Sequence, residues 1–217
     1  MQGVGGPSGR AAPRVAVLVS GEGTLLEALV GRVTAGRLAA RFVLVVADRP
    51  GVPALARALR AGIATTVVRR AGVPADAWAT AMDRTLAEQE VELVLLDGFL
   101  SVLPPQLVDR WAGRVLNIHP SLLPRHGGRG MYGSKVHEAV LADGDTETGV
   151  TVHEVTAAVD AGPIRVQRRI PVRPHDTPQT LRERLRPLEV DALAEAIEGW
   201  RPPSRGPRDP RPGRTVP

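Results

Sequence analysis

The sequence predicts an α/β fold: a doubly wound, mostly parallel, Rossmann-like sheet with an antiparallel strand pair near the C-terminal end. Two observations carry this. Short apolar runs alternate with segments of helical spacing as far as Ile118, and two strand-like segments then follow one another with no helical pattern between them.

The apolar runs at 15–19 (VAVLV), 42–47 (FVLVVA), 63–68 (IATTVV), 91–96 (VELVLL) and 115–118 (VLNI) are mostly too short for helices and read as buried strands. Between them, 25–33, 53–61, 74–90 and 104–111 carry helical spacing, and three of these open on a proline, which a first helical turn tolerates. Strand and helix in alternation imply parallel strands joined by right-handed crossovers. Beyond residue 120 come a glycine-rich loop (HGGRGMYGSK), a helix over 136–142, and the strand candidates GVTVHEV and PIRVQRRIPV, which suit an antiparallel pair at one end of the sheet. The segment 176–200 opens on DTPQT, a cap with an early proline, and spaces Leu181, Leu185, Leu188, Leu193 and Ile197 as one long helix.

With 217 residues the chain is long enough for one domain with a sizeable core, expected over 14–200. The Gly/Pro-rich residues 1–13 and the Pro/Arg-rich residues 201–217 have no apolar face to bury and are expected to be disordered tails. The formal charge of +5 is carried by those tails, which hold +1 and +4, so 14–200 is balanced. A nucleic-acid groove needs basic surplus on the fold itself, and none is expected here. Without cysteine, disulfides and thiolate chemistry are excluded. No run is long and apolar enough for a membrane span and the N-terminus lacks a signal-peptide pattern, so a cytoplasmic protein without membrane partners is expected.

Two motifs carry chemistry. In VAVLVSGEGTLLEAL a strand, a G-x-G-T turn and a helix follow one another, aiming backbone N–H groups and a positive dipole end at a ligand, of which phosphate is the natural one. Leu26 stands where the dinucleotide fingerprint needs its third glycine, and the G-K-[ST] of a Walker loop is missing, so the turn by itself serves backbone geometry as well as it serves phosphate. In LNIHPSLLP, strand alternation puts Asn117 and His119 on one face at the carboxyl end of a parallel strand, where open α/β sheets bind ligands. An amide donor beside an imidazole suits polarisation of a carbonyl and stabilisation of the oxyanion formed on nucleophilic attack.

NIHPSLLP, the glycine-rich loop, HEAVL, TGVTVHEV and VDAGPI together resemble the phosphoribosylglycinamide formyltransferases of the formyltransferase superfamily, over about residues 14–200. The resemblance implies transfer of a formyl group from 10-formyl-tetrahydrofolate, as cosubstrate, to the amine of a phosphoribosylglycinamide in purine synthesis, by a trio matching Asn117, His119 and Asp160. It implies substrate phosphate at Gly21, Glu22, Gly23, Thr24 and Leu25, with Leu25 standing where most members have Asn. It further implies substrate ribose at Glu189, and the folate between Leu100, Ser101 and Leu103 on one side and Ala157, Ala158, Val159 and Asp160 on the other. A carboxylate at Asp160 is expected to raise the His119 pKa and make it a charged donor, or to anchor a water that relays the amine proton. His137 and His153 also match family positions, but scattered histidines without acidic ligands at metal spacing give no metal site. Small-molecule substrates and a monomer or homodimer are expected. Two alternatives remain: a formyltransferase acting on another phosphorylated or nucleotide-linked amine, and a non-catalytic nucleotide or folate binder on the same fold.

Overall fold

A computed structural model describes residues 11–203; of the tails expected to be disordered, 1–13 and 201–217, residues 1–10 and 204–217 lie outside the described residues. The chain runs β1 (Arg14–Val19), α1 (Thr24–Thr34), β2 (Arg41–Ala47), α2 (Pro53–Arg60), β3 (Ala64–Val67), α3 (Ala75–Glu88), β4 (Leu93–Asp97), α4 (Pro105–Arg110), β5 (Val115–His119), α5 (Ser134–Ala142), β6 (Glu147–Glu154), β7 (Ile164–Pro171) and α6 (Pro178–Gly199).

The strands form one seven-stranded sheet in the order β3-β2-β1-β4-β5-β6-β7. β1 pairs in parallel with β2 and β4, and β4 with β5, whereas β6 is antiparallel to both β5 and β7. The expected antiparallel pair is therefore present at one edge of the sheet.

Alternation along each strand feeds two cores. Val15, Val17, Val19, Leu93 and Leu95 pack under α1, α2 and α6, while Ala16, Leu18, Val94 and Leu96 pack under α3 and α4. On β5, Leu116 and Ile118 join the first core. Asn117 and His119 therefore point with Val115 to the opposite face. Each large apolar side chain so buried contributes about 2 kcal/mol of transfer free energy. Trp78, fully buried, also donates its indole N–H to the Val68 carbonyl at 2.9 Å, so its polar edge is not stranded.

Local chemistry sets the element ends. The Thr177 hydroxyl accepts the N–H of Thr180 and the Thr180 hydroxyl accepts that of Thr177, a capping box that starts α6. The helix continues through Pro187, which removes one internal hydrogen bond; buried Leu185 and Val190 on either side hold it to the core. The strand expected from Val91 begins only at Leu93, because the Val91 N–H donates to Leu86 and closes the end of α3.

Sheet order positions the site. From β1 the chain winds outward through β2 and β3, with α1 and α2 on one face. It then returns to β4 and β5 with α3 and α4 on the other. The connections thus leave β1 and β4 in opposite directions, and a crevice opens at their carboxyl ends, the topological switch point of a doubly wound sheet.

Candidate active site

A cavity of about 710 Å³ fills that crevice, a volume in the range of small-molecule sites. It is lined by residues 21–25 after β1, 96–103 after β4, 117–120 at the end of β5, 128–133 and 155–160 from two loops, and side chains of α5 and α6. Every site residue expected from the sequence lies on its wall, the glycine turn, Asn117, His119, Asp160, the 100–103 and 157–159 segments and Glu189 included.

At one end, β5 presents Asn117 and His119 to Asp160. Asp160 has a left-handed backbone (φ 54°), and its carboxylate accepts the Gly128 N–H at 3.0 Å, which ties the 155–160 loop to the glycine-rich loop. Its Oδ1 lies 3.4 Å from Asn117 Nδ2 and 3.5 Å from His153 Nε2, and its Oδ2 lies 3.5 Å from His119 Nδ1.

Hydrogen-bond chemistry fixes the tautomers. His119 Nε2 lies 2.8 Å from the His126 carbonyl oxygen, which can only accept, so Nε2 carries a proton and Nδ1 is the titrating nitrogen facing Asp160. His153 Nδ1 likewise donates to the Glu154 carbonyl at 2.9 Å, leaving its Nε2 to accept from Asn117 Nδ2 at 3.1 Å. One Asn117 N–H is thus engaged with His153, while the other makes only the long contact to Asp160 and remains available to a substrate oxygen.

Burial corrects the expected charge of His119. Removal from water pushes its pKa down, and this outweighs the opposing pull of the Asp160 carboxylate and of the His126 carbonyl. The histidine pKa is lowered, not raised, so the resting imidazole is neutral at neutral pH. For Asp160, burial pushes the carboxyl up, but the adjacent His153 ring, the Gly128 N–H it accepts and the nearby His119 ring more than compensate, and the net shift is downward.

At the other end, Gly23 precedes α1 with left-handed angles (φ 67°), and a Cβ there would sit 2.5 Å from that of Ala54 on α2, so only glycine fits. The turn is not a fully open anion cradle. Asp97, at the end of β4, accepts the Leu26 N–H at 3.1 Å and so occupies part of the α1 N-terminus. Burial raises the Asp97 pKa, partly offset by the Leu26 N–H and by Arg186. Glu189 is half-buried beside this group, and desolvation pushes its pKa up to about 7, opposed by Arg186 and Arg182 and assisted by Asp97. Leu25 is 6 % exposed and its side chain joins the apolar core beneath the turn.

Between the two ends, the loop after β4 is clamped from below. Buried Asp48, just beyond β2, accepts the hydroxyls of Ser20 at 2.8 Å and Ser101 at 2.7 Å through Oδ2, and Ser20 Oγ accepts the Leu100 N–H at 2.9 Å. The Leu100 N–H is therefore engaged internally, and its carbonyl is the backbone group left to face a ligand.

Sequence reasoning missed Asp97, Arg182, Arg186 and the orienting role of His153. A hydrophobic end-of-strand aspartate and two arginines on a polar helix face carry no signal until α6 is packed beside β4. His137, noted only as matching a family position, lines the cavity with a buried Nδ1 that has no hydrogen-bond partner among the described residues, a polar atom for a bound molecule to satisfy. Among the described residues no cluster of three or more His, Asp or Glu side chains is arranged to hold a metal ion, and no helix is long and apolar enough to cross a membrane.

Fold and cavity together define an α/β protein with its ligand site at the switch point and acid–base groups on the last parallel strand. The chain belongs to the formyl transferase family, whose model matches residues 13–197. It is 40 % identical over 185 residues to the phosphoribosylglycinamide formyltransferase of Mycobacterium tuberculosis, covering 85 % of this chain and 83 % of that protein. It is 43 % identical over 187 residues to the trifunctional purine biosynthetic protein adenosine-3 of Gallus gallus, covering 85 % of this chain but only 18 % of the relative's length. The crystal structure of glycinamide ribonucleotide transformylase 1 from Symbiobacterium toebii superposes with a TM-score of 0.80 at 36 % identity, covering 87 % of each chain.

Proposed function

We propose that this chain transfers the formyl group of 10-formyl-tetrahydrofolate to the amine of 5-phosphoribosylglycinamide, a step of purine synthesis. The observation that carries the reading is the convergence of Asn117, His119 and Asp160 within hydrogen-bond or ion-pair reach at one end of a cavity whose other end is a glycine turn at a helix N-terminus. The names of relatives that match this chain nearly end to end support the same substrate.

The free Asn117 N–H takes the formyl oxygen as it becomes an oxyanion. As the amine nitrogen bonds to the formyl carbon, the proton it must lose passes to His119 Nδ1, which is neutral and so able to accept it, beside an ionised Asp160 that stabilises the resulting imidazolium. Return of that proton to the departing folate nitrogen accompanies cleavage of the old carbon–nitrogen bond, so the protein ends unchanged. Gly23, Thr24 and the α1 N-terminus bind the phosphate with Arg186 and Arg182 supplying countercharge, Glu189 meets the ribose, and the clamped 98–103 loop with 157–160 holds the pterin.

The test is an absorbance assay for tetrahydrofolate formation from the two substrates, with Asn117→Ala, His119→Ala and Asp160→Ala. The expected result is turnover in the wild type and losses of about 100-fold or more in each variant. Absence of turnover by folded wild type overturns the reading.

A second reading, transfer to another phosphorylated amine, is favoured by Leu25. Its side chain faces the core and offers no amide to the phosphate. A panel of amine acceptors separates the two: preference for an acceptor other than phosphoribosylglycinamide supports the second. Tight folate binding without turnover on any acceptor would indicate a binding protein.

A further inference from the structure

His126, at the start of the glycine-rich loop, and Asp145, between α5 and β6, form a buried side-chain pair that the reaction scheme does not use. His126 Nε2 lies 2.8 Å from Asp145 Oδ2, and the two side chains are only 7 % and 6 % exposed. A carboxylate oxygen can only accept, so His126 Nε2–H is the donor. Asp145 is in turn paired with Arg125, whose carbonyl accepts the Ser121 hydroxyl at 2.6 Å, and Asp143 lies 3.8 Å from His126 Nδ1. His126 itself has a left-handed backbone (φ 53°), a conformation that a non-glycine residue keeps only where its surroundings hold it. Its carbonyl is the group that accepts His119 Nε2–H at 2.8 Å.

We propose that Asp145 is a positioning residue for His119, acting through His126: it anchors the His126 ring, the anchored ring holds the strained backbone, and the backbone carbonyl fixes the Nε2–H tautomer that turns His119 Nδ1 toward Asp160. The inference rests on the reading of His119 as the reacting imidazole.

A neutral imidazole carries one proton, and whichever nitrogen has the better acceptor keeps it. With the His126 carbonyl in place, the proton stays on Nε2 and the lone pair stays on Nδ1, the side on which a proton must be received. If the carbonyl turns away, Nδ1–H facing the Asp160 carboxylate becomes the better arrangement, and the ring can then accept nothing from the amine. A buried carboxylate one hydrogen bond removed from the reaction thus decides whether the base has its lone pair on the working side. Asp145 is remote from the 21–25 turn and the 98–103 loop in sequence, and neither it nor His126 lines the substrate cavity.

The test uses the full chain with Asp145→Ala and His126→Ala, and with His126→Gln, whose amide nitrogen can replace Nε2 as donor to Asp145. The measurements are kcat, KM for each of the two substrates, thermal stability, and the nitrogen chemical shifts of the His119 ring. The expected result for the first two variants is a fall in kcat of about tenfold to 100-fold, both KM values within about threefold of wild type, and loss of the Nε2–H pattern at His119. His126→Gln restores most of kcat. Folded Asp145→Ala and His126→Ala proteins that keep both wild-type kcat and the Nε2–H tautomer overturn the proposal, as does a loss in which kcat, both KM values and stability move together without rescue by glutamine. The ring shifts are read without substrate. A protein inactive with phosphoribosylglycinamide but showing the tautomer change therefore counts against the substrate assignment and leaves the positioning role supported.

Discussion

His119 Nδ1 and Asp160 Oδ2 face each other across 3.5 Å, yet the imidazole is easier to deprotonate than a free histidine. Burial disfavours the imidazolium more than the neighbouring carboxylate favours it. The pair is consequently set for receiving a proton, not for presenting a charge in advance. If the neutral form is the working one, kcat/KM rises with pH through the His119 pKa, and the acid limb of the profile lies below the ordinary histidine value of about 6.5. Asp160→Asn removes the larger of the two contacts that raise this pKa, so its residual activity shows the limb at still lower pH. A limb above 6.5 that falls on the alkaline side contradicts the neutral-base scheme.

Asp160→Asn also has a stability signature. The folded pKa of Asp160 is depressed, so its contribution is present above the unfolded carboxyl value and is lost as pH falls through the folded one. Asparagine tolerates the left-handed backbone, which isolates the charge. The difference in Tm between wild type and Asp160→Asn is expected to shrink as pH falls from about 5 toward 3, measured by calorimetry.

Glu189 has the opposite sign. Its folded pKa, near 7, lies above its unfolded value, so the stability linked to its proton is complete below about pH 4.3 and disappears as pH rises through 7. Glu189→Gln, uncharged throughout, is expected to flatten the Tm profile between pH 5 and 8 and to be more stable than wild type relative to their difference at pH 4. Unchanged curvature in the variant would assign the raised pKa to another group.

Gly23→Ala places a methyl group 2.5 Å from the Ala54 Cβ and an L-residue at φ 67°. The strain is expected to cost about 1–3 kcal/mol and to move the N-terminus of α1 away from α2. Denaturant midpoints report the stability loss, and KM for the phosphorylated amine rises more than KM for the formyl donor.

The Asp48 clamp should act on the other substrate. Asp48→Ala leaves Ser20 and Ser101 without their shared acceptor and frees the 98–103 loop. Initial-rate kinetics with each substrate varied in turn should show the donor KM rising about tenfold, a change of about 1.4 kcal/mol, and the acceptor KM nearly unchanged. Equal rises in both would mean that the loop serves the whole cavity.

Much of this molecule is written locally. The first strand runs are continuously apolar because both faces of the sheet are covered, and several helices declare their starts by proline or, for α6, by the Thr177 cap. Asn117 and His119 share a face by the twofold period of a strand, and Asp160 sits in a motif recognisable by its neighbours. Boundaries such as Val91, apolar yet bound to the end of α3, were not legible, because hydropathy does not reveal which acceptor an N–H will find.

The sequence by itself determined the doubly wound class and the antiparallel edge, which depend on periodicity, and marked Asn117, His119 and Asp160, which lie in short contiguous motifs. Only the tertiary structure decided their electrostatics and their companions. The neutrality of His119 follows from how deeply the sheet, the 120–133 loop and the 155–160 loop bury it. Asp97 meets Leu26, and Glu189 meets Arg186 and Asp97, because β4 lies next to β1 and α6 packs across their ends. The His126 carbonyl meets His119 Nε2 where the chain at His126 takes a left-handed backbone. Desolvation and through-space charge depend on distances between segments far apart in the chain, and those distances exist only once the sheet order is set.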